Sequence, residues 1–218
     1  MKRLLSFFAA VFLLGAQSLQ AQWIQTNGPY EGDVRCFAVS GSNLFAGTFG
    51  DGVFLSTNNG TSWTAVNTGL TDTLVLSLAV SGSNLFAGTG GGVFLSTNNG
   101  TSWTAVNTGL TNTSVHSLAV NGTNLFAGTA GGVFLSTNNG TSWTAVNTGL
   151  TRTFVLSLAV SGSNLFAGTD GGGVWRRPLS EMVTAVEDDF SQAPVSFSLE
   201  QNYPNPFWSP ARAAIFGA

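Results

Sequence analysis

The stretch GGVFLSTNNGTSWTAVNTGL, residues 91–110, decides the fold because nearly the same letters occur three times along the chain. They return unchanged at 131–150, and they stand at 51–70 with Asp51 in place of the first glycine. A longer unit repeats around them with a period of 40 residues, the spacing from Trp63 to Trp103. A period of this length indicates a chain built from copies of one small supersecondary unit.

Each unit contains four short runs with strand character, separated by turn residues. In the second unit the runs are 74–80, 85–89, 93–97 and 102–106. Asn99-Gly100 marks a hairpin, because Asn and Gly adopt the positive φ angles that a type I′ turn requires. The first run is apolar on both faces, which is typical of a sheet covered on both sides. Four strands in about 40 residues is the size of one β-propeller blade, whereas a β-solenoid, the alternative, usually has shorter repeats.

The fourth unit is incomplete, because its strand-like runs end near residue 177 and no fourth run follows. Residues 22–26 stand before the first unit as 62–64 stand before the second, so Trp23 fits the place of the missing tryptophan. We predict an all-β fold over residues 22–177. It is a small β-propeller with four blades of four antiparallel strands, in which the N-terminal strand closes the last blade and removes two free sheet edges.

The segment SerThrAsnAsnGlyThrSerTrp at 56–63, repeated at 96–103 and 136–143, resembles the Asp-box (bacterial neuraminidase) repeat, Ser-x-Asp-x-Gly-x-Thr-Trp. It departs from that pattern where Asn replaces Asp and where Ser precedes the Trp. The resemblance implies a structural hairpin between the two outer strands of a blade, with the Trp packed beneath it. The residues that carry this role are Ser56, Asn58, Gly60, Trp63, Ser96, Asn98, Gly100, Trp103, Ser136, Asn138, Gly140 and Trp143.

The N-terminus has the order of a secretory signal. Lys2 and Arg3 precede the apolar run 4–16, and small and polar residues follow it. The run is shorter than the roughly 20 residues that a bilayer core requires. We therefore predict a signal peptide over residues 1–21 rather than a membrane anchor, and no transmembrane segment later in the chain.

After residue 177 the composition changes, and we predict a linker over 178–195 and a separate tail over 196–218. The tail resembles the opening of the type IX secretion sorting domain through Asn202, Tyr203, Pro204, Asn205, Pro206 and Phe207. This resemblance implies the type IX secretion machinery as a partner and a secreted or outer-surface location. The tail ends before such a domain would be complete, so a periplasmic location is the alternative.

Composition excludes several classes of function. Charged residues make up 8% of the chain against about 25% in typical domains, and the net charge is −3, so nucleic acid is not an expected partner. His116 is the single histidine, and no metal or cofactor site is expected. Cys36 is the single cysteine and therefore cannot form a disulfide within the chain. Its counterparts in the other units are serines, which favours a small packed residue over a reactive thiol.

Sialidases carry Asp boxes on a propeller, so the resemblance raises the possibility of catalysis. That family needs an arginine cluster, a Tyr-Glu nucleophile pair and an acidic proton donor, and this chain does not contain such a set. We predict a non-catalytic binding module for an extracellular glycan, protein or polymer. The alternatives are a sialidase-like or other glycoside hydrolase and a structural surface-layer protein.

Differences between the copies concentrate just before and early in the first strand, and between the second and third strands. In an antiparallel blade these two places lie on the same side. Loops on a rigid scaffold carry function, so we predict a recognition face there, with drift at tolerant loops as the alternative. Its residues are Phe49, Asp51, Asp72, Leu74, Asn112, His116, Arg152, Phe154 and Asp170.

Overall fold

The computed structural model describes residues 22–29 and 32–182, and apart from one short 3-10 helix at Leu179–Glu181 the regular structure there is all β. The strands form four antiparallel sheets, of which three have four strands in chain order and the last has three. The strands are β1 (Val34–Ser40), β2 (Asn43–Thr48), β3 (Val53–Ser56), β4 (Thr64–Ala65), β5 (Val75–Ser81), β6 (Asn84–Thr89), β7 (Gly92–Ser96), β8 (Thr104–Ala105), β9 (Val115–Asn121), β10 (Asn124–Thr129), β11 (Gly132–Ser136), β12 (Thr144–Ala145), β13 (Val155–Ser161), β14 (Asn164–Thr169) and β15 (Gly173–Pro178).

The turn chemistry read from the sequence explains the outer hairpin of each complete sheet. Asn99 has a φ of 54° and Gly100 a φ of 81°, and Asn59 and Asn139 repeat the positive angle at 55°. Two successive positive angles are what a type I′ turn requires, and few residues other than Asn and Gly adopt them without strain. The hairpins that connect β3 to β4, β7 to β8 and β11 to β12 follow from this local sequence.

The hydrophobic core lies between successive sheets rather than inside one sheet. Phe45 and Val53 of the first sheet pack against Val75, Leu78 and Trp103 of the second. Equivalent positions form the clusters between the second and third sheets and between the third and fourth. The first strands β1, β5, β9 and β13 pack side by side in that order. The predicted architecture of four sheets that cover one another is therefore confirmed.

Strand two of each of the first three sheets contains a glycine where the next sheet approaches closely. A Cβ atom at Gly88 would lie only 2.7 Å from Val115 Cγ1, and one at Gly128 equally close to Val155 Cγ1. Any side chain there would overlap the valine. The repeated Leu-Phe-Ala-Gly-Thr sequence thus combines, on one strand, a large phenylalanine side chain and a glycine whose missing side chain leaves room for the valine of the next sheet.

The predicted closure of the last blade by the N-terminal strand is wrong in this structure. Trp23 is fully exposed, and Asn27 makes a parallel bridge to Ser62 of the first sheet instead of pairing with β15. The position predicted for Trp23 is already occupied, because Arg177 Nη1 donates to Val146 O at 3.1 Å and Met182 is buried beside it.

The packed part of the chain continues beyond the boundary predicted at residue 177. Pro178 ends β15, Leu179 packs against the last core cluster, and Met182 belongs to that cluster. The predicted signal peptide at 1–21, the rest of the linker and the tail at 196–218, with its sorting motif, lie outside the described residues. Among the described residues, no helix has the length and apolarity needed to cross a bilayer.

Candidate functional site

The three box hairpins (residues 56–63, 96–103 and 136–143) are held by the same local hydrogen bonds. In the second, Ser96 Oγ accepts from the Gly100 amide at 2.8 Å, and Asn98 Oδ1 accepts from the Ser102 amide at 2.9 Å. Asn98 Nδ2 donates to Ser102 Oγ at 2.9 Å. The two residues that depart from the Asp-box pattern, the Asn and the Ser before the Trp, therefore bond to each other. Equivalent bonds occur in the other two hairpins. These polar groups therefore stabilise the turn itself.

Two of the three hairpin tryptophans belong to the hydrophobic core. Trp103 and Trp143 are each 4% exposed. Their Nε1 atoms donate to Val66 O and Val106 O, respectively, at 2.7 Å, and each bond joins one sheet to the chain leaving the previous sheet. Trp63 is half-buried, and its buried Nε1 has no hydrogen-bond partner among the described residues.

The two variable connections of each sheet meet on one side of the molecule. A Cβ atom at Gly91 would lie 2.8 Å from the Asp72 carboxylate, and one at Gly172 would lie 2.5 Å from Arg152 Cγ. Between the sheets, Phe49 forms an antiparallel bridge with Leu74 of the second sheet. The remaining predicted residues, Asp51, Asn112, His116, Phe154 and Asp170, lie in the same connections or at the first strands beside them.

Each first strand carries a β-bulge at an equivalent position. The register shifts between Val34 and Cys36 in β1, and equivalent shifts occur in β5, β9 and β13. A bulge leaves its extra residue unpaired and redirects the side chain. Because the four first strands are neighbours, these residues form a row across the sheets, which we call the bulge row: Arg35, Leu76, His116 and Leu156.

Of the bulge row, only His116 is among the residues predicted from the sequence for the recognition face. The row contains Arg35 and His116 where the other two copies have leucine, although the surrounding repeats are nearly identical, and that difference was the available signal. The bulge itself was not readable, because it depends on pairing with the second strand rather than on local sequence.

Aromatic rings and positively charged or imidazole groups are paired on this side. The Arg35 guanidinium lies 4.8 Å from the centroid of the Phe49 ring and also pairs with the Asp33 carboxylate. The rings of His116 and Phe154 are 5.0 Å apart at a tilted angle. Phe49 is 51% and Phe154 is 39% exposed, so both rings retain free surface.

His116 is the side chain on this face best suited to acid–base chemistry. Its Nε2 lies 3.2 Å from Ser114 Oγ, and burial lowers the pKa of the imidazole below its ordinary value of 6.5, which leaves the ring neutral at pH 7. In the part of the chain that the structure describes, no carboxylate hydrogen-bonds to this ring. A Ser-His pair without an orienting acid lacks the third member of a hydrolase triad.

Neither a metal site nor an activated thiol is evident on the described chain. Within residues 22–29 and 32–182 no group of three or more His, Cys, Asp or Glu side chains is placed to hold a metal ion. Burial raises the pKa of the Cys36 thiol to about 11, so it remains protonated at neutral pH.

Asp72 uses one carboxylate oxygen to accept a hydrogen bond from the Leu74 amide at 2.9 Å.

No protein-family model matches the chain, and no curated protein matches it. Solved structures do. An ancestral GH74 enzyme is 26% identical, with a TM-score of 0.54 over 66% of this chain and 22% of that one. The extracellular domain of a hybrid two-component system from B. thetaiotaomicron is 19% identical, with a TM-score of 0.59 over 73% and 22%.

A third similar structure is PorZ, a bacterial surface component of the type IX secretion system of Porphyromonas gingivalis. It is 18% identical, with a TM-score of 0.51 over 67% of this chain and 21% of that one. The chain spans about a fifth of the length of each of these three structures. The fold of this chain is therefore like that of part of these larger β-propeller structures.

Proposed function

We propose that this chain is a non-catalytic binding module that acts outside the cell, and that its variable side is the recognition face. One observation carries the proposal: residues that differ between otherwise near-identical repeats come together on one side of four packed sheets. The opposite side carries the identical box hairpins and the turns between the first and second strands, which are nearly identical and change only at Asn121 and Thr123 of the third copy. Variable loops on a rigid scaffold are typical of binding surfaces.

An extracellular glycan is the ligand class that these side chains suit best. Half-exposed Phe49 and Phe154 offer flat apolar surfaces, and Asp51, Asn112 and Arg152 lie in the neighbouring connections. Apolar surface with a few placed polar groups is the usual composition of a ligand site, and sugar rings present both C–H faces and hydroxyl edges. The 26% identity to a GH74 glycosidase supports the same class.

The absence of catalysis is part of the proposal. Ordinary glycoside hydrolysis uses a pair of carboxylates flanking the scissile bond. On the variable side Asp72 is engaged by its own backbone turn, and the Ser114–His116 pair has no orienting acid among the described residues. These features favour binding over the hydrolase alternative.

An extracellular location is supported from two directions. The similar structures include extracellular domains and a surface component of a secretion system. Residues 1–21 have the order of a signal peptide, and the tail resembles a type IX sorting motif. The finer proposal, export by that machinery, rests on the sequence motif alone.

The test is a glycan array probed with the exported full chain, followed by calorimetry on any glycan that binds. Phe49→Ala and Phe154→Ala should each weaken binding by about fivefold to about 150-fold, since a flat aromatic contact contributes on the order of 1–3 kcal/mol. Ser83→Ala, in an exposed turn on the opposite side, is the matched control and should bind as the unsubstituted chain does.

Three outcomes would overturn this proposal. Release of reducing sugar from a bound glycan would favour the hydrolase. Binding to proteins but to no glycan would show that the ligand is a protein. Extended assembly without any soluble ligand would favour a surface-layer role.

A further inference from the structure

The three junctions between successive sheets are built from one repeated set of contacts. At each junction a phenylalanine and a valine of one sheet pack on the first strand of the next. At the first two junctions they also pack on its hairpin tryptophan, as Phe86 and Val93 pack on Val115 and Trp143. A serine hydroxyl completes the junction twice, since Ser77 Oγ accepts from the Leu118 amide at 2.8 Å and Ser117 Oγ from the Leu158 amide at 2.8 Å. Each of the two internal sheets thus has a trailing face, covered by the next sheet, and a leading face, covered by the previous one.

The leading face of the first sheet is not covered by another sheet, and only the N-terminal segment, including Gln25 and Thr26, lies beside it. Phe37 is 60% exposed, whereas its counterparts Leu78 and Leu118 are buried. Val34 is partly exposed, whereas valines at the same position in the other three sheets are fully buried. A cavity of about 390 Å³ lies on this face, and Val34, Phe37, Leu44 and Trp63 are among the residues that line it.

The trailing face of the last sheet is uncovered as well. Val174 is 77% exposed, although its counterparts Val53, Val93 and Val133 are buried. Ser157 is exposed, whereas its counterparts Ser77 and Ser117 accept hydrogen bonds from the sheet that follows them. Counterparts of Phe166 are buried in all three other sheets, and Phe166 itself is only partly covered.

We propose that these two uncovered faces bind each other between copies of the chain, with the last sheet of one copy on the first sheet of a second. Each face carries the half of the junction that the other lacks: Phe166 and Val174 on one side, Val34, Phe37 and Trp63 on the other. Within one chain β1 and β13 do not pack as neighbouring first strands do. The occupant we infer is therefore a second copy.

Two such junctions close a dimer. The contact is heterologous, and heterologous contacts make a ring when the rotation between subunits closes. Two copies contribute eight sheets, and propellers contain typically about four to eight blades, so a ring of this size lies within the known range.

The N-terminal segment fits the same junction. By the repeat period, Ile24 and Gln25 correspond to Thr64–Ala65, the short fourth strand that pairs with β3. The segment already lies against the first sheet through the bridge from Asn27 to Ser62. In the dimer it lies beside β15 of the second copy, whose outer edge has no fourth strand in the described chain, and would cover that edge.

The test is the mass of the exported full chain in solution, measured by light scattering and sedimentation velocity. The unsubstituted chain should have twice the mass of one chain. Phe37→Asp and Val174→Asp should each give a single-chain mass. In a dimer of either variant, both junctions would have to bury a carboxylate, because each junction contains one copy of the substituted face. Both residues are exposed in a single copy, so circular dichroism should show an unchanged fold. Thr104→Asp, on the exposed outer strand of the second sheet, is the matched control and should stay dimeric.

A mixing experiment identifies the faces. Phe37→Asp retains an intact trailing face and Val174→Asp an intact leading face, so their equimolar mixture should recover a two-chain species held by one junction. A single-chain mass for the unsubstituted protein, dimers of either substituted chain alone, an open series of larger masses, or no recovery on mixing would each overturn the proposal.

Discussion

At the scale of single residues, the three hairpin tryptophans have the same sequence context and different hydrogen bonding. Trp103 and Trp143 donate to a carbonyl of the preceding sheet, whereas Trp63 has only the N-terminal segment in that place and its Nε1 has no partner among the described residues. A buried donor without a partner costs stability, and a satisfied one contributes. Comparing Trp63 with Trp103 therefore measures how much the indole hydrogen bond contributes to the free energy of unfolding.

Trp103→Phe should destabilise the fold more than Trp63→Phe. Both changes remove similar volume, but only the first leaves the Val66 carbonyl without its donor, an added cost of about 1–3 kcal/mol. Urea unfolding of dilute protein followed by circular dichroism measures the difference, and Trp143→Phe should match Trp103→Phe. Equal losses at Trp63 and Trp103 would show that the hydrogen bond does not contribute.

His116 gives the stability a dependence on pH. Burial lowers its folded pKa below 6.5, so the unfolded chain binds a proton at a higher pH than the folded chain does. Stability is then lost as the pH falls through 6.5, because the unfolded state carries more protons there. His116→Leu, which copies the residue at 76 and 156, should remove this loss.

Urea midpoints at about pH 7.5 and about pH 5.5 measure the effect, since Asp carboxylates titrate mostly below that window. The unsubstituted chain should lose more stability between the two than His116→Leu does. Parallel changes in both proteins would contradict the lowered pKa of the partly buried imidazole.

At the scale of the strand, the glycines of β6 and β14 occupy the same repeat position with different neighbours. A Cβ at Gly88 would lie 2.7 Å from Val115 Cγ1 of the following sheet. A Cβ at Gly168 would meet the Ser157 hydroxyl, which can rotate away, and no atom of a following sheet.

Gly88→Ala should therefore reduce the free energy of unfolding by about 1–3 kcal/mol through overpacking. Gly168→Ala should leave the folding of a single chain nearly unchanged and weaken its association with a second copy, where a valine would approach that glycine. Urea unfolding of dilute protein tests the first expectation and sedimentation the second. A folding loss at Gly168 as large as that at Gly88 would argue that an atom of the same chain already covers this face.

The same elements show which features are readable from sequence. The strands, the Asn99-Gly100 turn and the buried Trp103 follow from local pattern and repeat, and the structure contains all of them. The N-terminal segment has a strand-like sequence, yet its bridge is to Ser62 of the first sheet, and nothing local distinguishes that partner from β15. The bulge at Arg35 depends on cross-strand register and is equally invisible in the sequence. The recognition face stays a prediction, because repeat variation marks where residues differ and not what they bind.

At the scale of the whole molecule, a repeat array with two uncovered ends has a stability that depends on what covers them. Internal sheets are buried on both faces, whereas the first and last sheets each leave one face with exposed apolar side chains such as Phe37 and Val174. Terminal units of repeat proteins usually have a polar outer face that keeps them soluble. These two ends have no such polar covering in the described chain, so association should stabilise them.

The thermal midpoint of the full chain should therefore rise with protein concentration. Association that occurs only in the folded state stabilises that state by mass action, so a more concentrated sample populates the dimer and unfolds at a higher temperature. Calorimetry over a hundredfold concentration range measures the shift, and Val174→Asp, with one half of each junction charged, should unfold at one temperature throughout. A midpoint independent of concentration in the unsubstituted chain would show that folded copies do not associate through these ends, because only contacts between copies respond to dilution.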